Sequence, residues 1–137
     1  MDLTTLVAAC ALTVEPKVMH ALIWHQSGGE PWSFSVPGEP QPYVYRSAKE
    51  AVVEARRSAP TGLPIRIGLT GLPVVSEPAT TAMLMPCPNI SIAARQIAEM
   101  VERCKVDPHL TADPIRCGLA AYGGSWDHPD NALRMRF

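Results

Sequence analysis

The side chains able to do chemistry gather in one stretch, Ala21-Leu-Ile-Trp-His-Gln-Ser-Gly-Gly-Glu-Pro31. It reads as the end of an amphipathic helix running into a Gly-Gly-Glu-Pro turn, with Gln26 as the polar group at its tip. An amide there can donate and accept hydrogen bonds but has no proton to give at neutral pH. Glu30 is the nearest carboxylate. It would lie one turn beyond Gln26 on the same face if the helix continued, but Gly28, Gly29 and Pro31 end it first. His20 and His25 flank Gln26 at a spacing that puts them on different helical faces, so they read as groove-wall or solvent histidines and not as metal ligands. Trp24, Trp32 and Trp126 could stack on sugar rings, although aromatics of a small domain are more often core. The four cysteines, Cys10, Cys87, Cys104 and Cys117, show no C-x-x-C pairing. No metal or other cofactor is expected. Cys87 and Cys104 lie near opposite ends of one predicted helix, so each bonds across to Cys10 or Cys117 or remains a buried thiol.

The elements that must position these groups are helical. Asp2 can cap a helix over 3–11 with Leu3, Leu6, Val7 and Cys10 on one face. Glu15-Pro16 starts a second, whose inner stripe is Val18, Leu22 and Gln26, with Met19 and Ile23 beside it and Gly28 as its stop. Residues 31–46 alternate prolines with Trp32, Phe34, Val36, Tyr43 and Tyr45, which predicts an extended loop or small hairpin. Ser47-Ala-Lys-Glu50 is a capping box before Ala51, Val52 and Ala55. Residues 59–79, with Pro60, Pro64, Pro73 and Pro78, read as one long connection. A short helix around 80–85 follows. Asn89 is the predicted cap of the helix carrying Ile90, Ala94, Ile97, Val101 and Cys104, and Asp113-Pro114 opens a last helix through Ile115, Leu119 and Tyr122, ended by Gly123-Gly124.

Composition bounds the rest. A chain of 137 residues with 47% hydrophobic and 18% charged side chains is one globular domain. A net charge of −1 gives no basic footprint for nucleic acid. No apolar run approaches the ~20 residues of a membrane span. Residues 1–12 are apolar but lack a basic start and a cleavage site, so they read as the first helix and not as an export signal.

Four segments in chain order resemble the lysozyme-like lytic transglycosylases of type IV secretion and conjugation systems. The first is Cys10-Ala-Leu-Thr-Val-Glu-Pro16 with residues 19–31, similar to a family pattern ending Ala-Leu-Ile-x-x-Glu-Ser-Gly-Gly-Asn-Pro. Ser47-Ala-Lys-Glu-Ala-Val52 leading to Arg66-Ile-Gly-Leu69 resembles the helix and the Gly-Leu-Met-Gln-Ile-Asn loop. Met85-Pro-Cys-Pro-Asn-Ile90 and Ala120-Ala-Tyr-Gly-Gly-Ser-Trp-Asp-His-Pro-Asp130 complete the set, with Asp127 and Asp130 in the family's terminal turn.

The resemblance implies a mostly α, lysozyme-like domain with at most a small β element around 31–46. It also implies peptidoglycan glycan strands as substrate, secretion-system proteins as partners, and a periplasmic or cell-envelope location. It assigns the catalytic position to Gln26, with the Tyr122 hydroxyl reaching it, and substrate binding to Ser27, Gly68, Leu69 and Tyr122. The plain alternatives are a polar helix-end residue for Ser27 and a core tyrosine for Tyr122.

Gln26 stands where the family has its acid, and Gly71 and Pro73 replace the Gln and Asn of the loop. Such enzymes protonate the oxygen leaving N-acetylmuramic acid. The same carboxylate then takes the C6 hydroxyl proton, closing a 1,6-anhydro ring. One group serves as acid and then base, so an amide removes both steps, a loss of ~10²–10⁴-fold or more. The expectation is a glycan-binding protein with the activity impaired or lost. The rivals are an active enzyme using another acid such as Glu30, and a non-catalytic interaction component of a secretion apparatus.

Overall fold

The computed structural model describes residues 2–58, 65–74, 78–106 and 113–123. Asp2 accepts a hydrogen bond from the Thr5 amide at 2.8 Å and starts α1 (Leu3–Cys10). That bond holds its carboxyl below the ordinary range. Pro16 opens α2 (Pro16–Ser27), and Gly28, left-handed at φ 64°, closes it. Val18, Met19, Leu22 and Ile23 are buried on the inner side as the periodicity requires. Strands β1 (Ser33–Ser35) and β2 (Tyr43–Val44) pair antiparallel, with Phe34 stacked against Tyr43 and against Tyr45. Ser47 then accepts from the Glu50 amide at 3.1 Å and caps α3 (Ala48–Ser58), which buries Ala51, Val52 and Ala55.

The stretch read as one long connection contains a hairpin, which corrects the expectation of β structure confined to 31–46. Strands β3 (Ile65–Ile67) and β4 (Leu72–Val74) join the first pair in a four-stranded antiparallel sheet of order β2-β1-β3-β4. Ile65, Ile67 and Leu72 are buried, and positive φ at Gly68 and Gly71 closes the turn between them. Pro73 hid the strand from a sequence reading. It is tolerated because β4 is an edge, where a missing N–H breaks no ladder.

Thr80 caps the short α4 (Thr81–Leu84). The long α5 (Pro86–Val106) follows, and α6 (Pro114–Gly123) begins under the Asp113 cap, which accepts from the Arg116 amide at 3.2 Å. Asn89 is therefore not a cap. The helix starts at Pro86, the Asn89 amide bonds Met85 within the first turn, and its side chain turns inward. On α6, Leu119 and Tyr122 are buried and Ile115 is 43% exposed.

Helix α5 is the axis of the molecule, touched by α1, α4, α6 and β4. Two disulfides fasten its ends: Cys10–Cys87 to α1, and Cys104–Cys117 to α6. Among the described residues no cysteine is free, and no helix is long and apolar enough to cross a membrane. The last four predicted residues of interest, Gly124, Trp126, Asp127 and Asp130, lie outside the described residues.

Helices α5 and α6 meet so closely that a Cβ on Gly118 would stand 2.5 Å from Val101 Cγ2 and 2.9 Å from the Val101 backbone nitrogen. In an open helix Gly→Ala gains about 1 kcal/mol. Here the backbone atom cannot step aside, and overpacking costs about 1–3 kcal/mol. Gly118→Ala is expected to destabilise the oxidised protein by about 1–2 kcal/mol, read as a lower urea midpoint. An unchanged or raised midpoint would show that the helices part without cost.

Candidate functional site

Gln26 and Ser27 occupy the last turn of α2, and the chain reverses at Gly28 because only its left-handed backbone ends the helix there. The Ser27 hydroxyl sits 2.8 Å from the Leu69 carbonyl and 3.1 Å from that of Ile23, and it accepts from the Gly29 amide at 3.2 Å. Its single proton favours the shorter contact, so Ser27 ties α2 to the β3–β4 turn. That turn, residues 68–71, is buried throughout.

A buried turn needs partners for its polar groups, and Asn89 supplies most of them. Its Oδ1 accepts from the Thr70 amide at 3.0 Å and from the Thr70 hydroxyl at 2.7 Å. Its Nδ2 donates to the Ile67 carbonyl at 3.1 Å and the Met83 carbonyl at 2.9 Å. Two donors and two lone pairs are thereby all used. Gly68 must be glycine, because a Cβ there would lie 2.8 Å from Asn89 Cγ at φ 75°. From α6 the Tyr122 hydroxyl donates to the Thr70 carbonyl at 3.1 Å. Arg66 Nη1 donates to the Gly71 carbonyl at 3.3 Å and the Tyr122 carbonyl at 3.1 Å, with its guanidinium 6.0 Å from the Tyr122 ring.

Gln26 lies directly on this turn. A Cβ at Gly71 would come within 2.5 Å of Gln26 Oε1 and 2.8 Å of its Cδ, so the amide occupies the space a side chain at residue 71 would need. Its Nε2 is buried with no hydrogen-bond partner. An unpaired buried donor costs about 1–3 kcal/mol.

The residues singled out in sequence, Gln26, Ser27, Gly68, Leu69 and Tyr122, thus converge on one turn. Ser27, Leu69 and Tyr122 are nearly fully buried, and what their bonds do is hold that turn. Glu30 is exposed beyond the glycines, its amide bonded to the Ser27 carbonyl. His20 and His25 are half-buried, Trp24 is 65% exposed, and Trp32 packs against the core. No group of three His, Cys, Asp or Glu that could hold a metal occurs among the described residues. Sequence reasoning missed Thr70 and Arg66, whose types carry no signal, and misjudged Asn89, whose signal is shared with an ordinary cap.

No protein-family model, curated protein or solved structure matches this chain.

Burial drives the Tyr122 hydroxyl up to about 12, against the opposing pull of its Thr70 bond and the Arg66 charge. Burial also lowers Arg66 from its ordinary value. For tyrosine the sign is clear: the unfolded chain loses its proton near pH 10 while the folded one keeps it. Stability present below pH 10 is therefore lost as pH climbs toward 12, by up to about 2–3 kcal/mol. Melting temperature against pH should fall across this window, and Tyr122→Phe should flatten the fall. An identical alkaline slope in both proteins would show that Tyr122 ionises as freely folded as unfolded.

Proposed function

We propose that this chain is a lysozyme-like, lytic-transglycosylase-type domain that holds glycan strands of peptidoglycan, with its acid–base step impaired by Gln26. One observation carries the reading. Residues from each of the four segments of the family resemblance, far apart in sequence, meet at a single place. The end of α2 brings Gln26 and Ser27, the turn brings Gly68 to Gly71, α5 brings Asn89, and α6 brings Tyr122. The mostly helical fold with its small sheet and the two disulfides accord with a domain of the cell envelope, an oxidising setting.

In this reading Gln26 keeps the shape of the missing glutamate and the capacity to hydrogen-bond a sugar, but it neither gives nor takes a proton. A carboxyl in its place would rest on Gly71, whose carbonyl Arg66 bonds. Gly71 and Pro73 still supply no side-chain contacts to a sugar, so the chemistry would return only in part.

Purified sacculi test both halves. The protein is expected to be retained on sacculi above a bland control protein and to release no 1,6-anhydro-muropeptides by mass spectrometry. Gln26→Glu is expected to produce the anhydro product at a low rate, at least ~10²-fold above the unmodified chain. Abundant anhydro product from the unmodified chain would refute impairment, and its loss in Glu30→Gln would move the acid to Glu30. Failure of both proteins to bind sacculi would remove the glycan reading and leave the non-catalytic interaction protein.

A further inference from the structure

Arg66 is the charged member of the cluster around the turn, and only part of its guanidinium is in use. A guanidinium carries five N–H donors in a planar fork. Both carbonyl bonds, to Gly71 at 3.3 Å and to Tyr122 at 3.1 Å, come from Nη1. Nε and Nη2 have no partner among the described residues, and neither is sealed in the interior. Those two nitrogens form the edge that presents parallel N–H groups to a carboxylate. No carboxylate among the described residues pairs with Arg66.

The sheet decides where this edge stands. Arg66 alternates with Ile65 and Ile67, whose side chains enter the core, so it projects from the opposite face. Its register partners on that face are Ser35 and Pro73. The side chain is half-buried, and burial lowers its pKa from the ordinary value. The charge has given up part of its hydration, and two neutral carbonyls return less than an anion would. Gly71 also fixes the cation relative to Gln26, which rests on the same glycine. The shared contact bounds the separation of Arg66 Nη1 from Gln26 Oε1 at about 10 Å. Two linked sugars can bridge that distance.

We propose that Arg66 binds a ligand carboxylate beside Gln26, so that the protein prefers glycan whose N-acetylmuramic acid carries a free lactyl carboxylate. The inference deepens the glycan reading and rests on it: the groove takes the sugar, and Arg66 sets the preference for an acidic one. In intact peptidoglycan the lactyl carboxyl is tied up as the amide of the stem peptide. The reaction class that must supply the preferred ligand is therefore hydrolysis of that amide, which leaves a peptide-free strand.

Three disaccharides test this by NMR in the oxidised protein. They are N-acetylglucosaminyl-N-acetylmuramic acid, the same compound with its lactyl carboxyl converted to a carboxamide, and N,N′-diacetylchitobiose. The readouts are the backbone amides of Gln26 and Gly71 and the Arg66 Nε–H. The carboxylate form is expected to bind with a dissociation constant on the order of 1 mM. The carboxamide and the chitobiose are expected to bind about tenfold more weakly. The Arg66 Nε–H should shift with the carboxylate alone, a response that a guanidinium serving only the fold would not give. Arg66→Gln should bring all three ligands to the weaker affinity. Arg66→Lys, which keeps the charge without the paired N–H edge, should keep a preference of about threefold. Equal affinity for carboxylate and carboxamide in the unmodified protein would overturn the proposal and leave the glycan reading standing. Binding of none of the three would remove both. The ligand comparison uses the unmodified protein, so the test stands even if neither variant folds.

Discussion

A four-residue turn buried in the middle of a helical protein has to find partners for its backbone without water, and most of this structure is arranged around that requirement. The Asn89 side chain answers it with all four of its hydrogen bonds, to Thr70, Ile67 and Met83. A net intramolecular hydrogen bond contributes only about 1 kcal/mol, but an orphaned buried group costs about 1–3 kcal/mol. The asymmetry makes the cluster all-or-none. Losing the Asn89 side chain would remove the partner of the Thr70 amide and two bonds to the Ile67 and Met83 carbonyls together. Gly68 follows from the same constraint, because the Asn89 amide occupies the space its side chain would need.

Once the turn is fixed, the surrounding elements are placed relative to it. Ser27 ties down α2 through Leu69, Tyr122 ties down α6 through Thr70, and Arg66 spans the Gly71 and Tyr122 carbonyls. Helix α5 carries Asn89 in its first turn and is fastened to α1 and α6 by disulfides near either end. The saturated turn and the unsatisfied Gln26 Nε2 therefore sit side by side. Gly71 makes the arrangement possible, since any Cβ there would push the amide off the turn.

The two ends of α2 differ in kind. The C-terminal end is close-packed and polar, built of hydrogen bonds around the buried turn. The N-terminal end borders a cavity floored by Val14, Val18, Ile97 and Val101. The difference follows from what each end packs against: a turn full of backbone polar groups at one, and the aliphatic stripe of α5 at the other.

Much of the local structure was legible in the residues. Asp2, Ser47 and Asp113 each accept a hydrogen bond from a backbone amide three residues on, and Gly28 ends α2, because caps and stops depend on chemistry within one turn of chain. Most of the buried stripes of α2, α3 and α5 followed from period, with Gln26 and Val101 only half-buried. The disulfide pairing was open in sequence and settled only when α1 and α6 were laid against α5. Strands β3 and β4 were hidden by Pro73, which is unfavourable in a strand until one knows that the strand is an edge. Asn89 has the residue type of a cap, and its inward role depends on a carbonyl at Ile67 and an amide at Thr70 about twenty residues away. Sequence determined which segments could be helices and which residues had the chemistry to matter. Tertiary structure decided which of those residues meet, because a hydrogen bond or a steric contact depends on distance in space, and separation along the chain does not specify that distance.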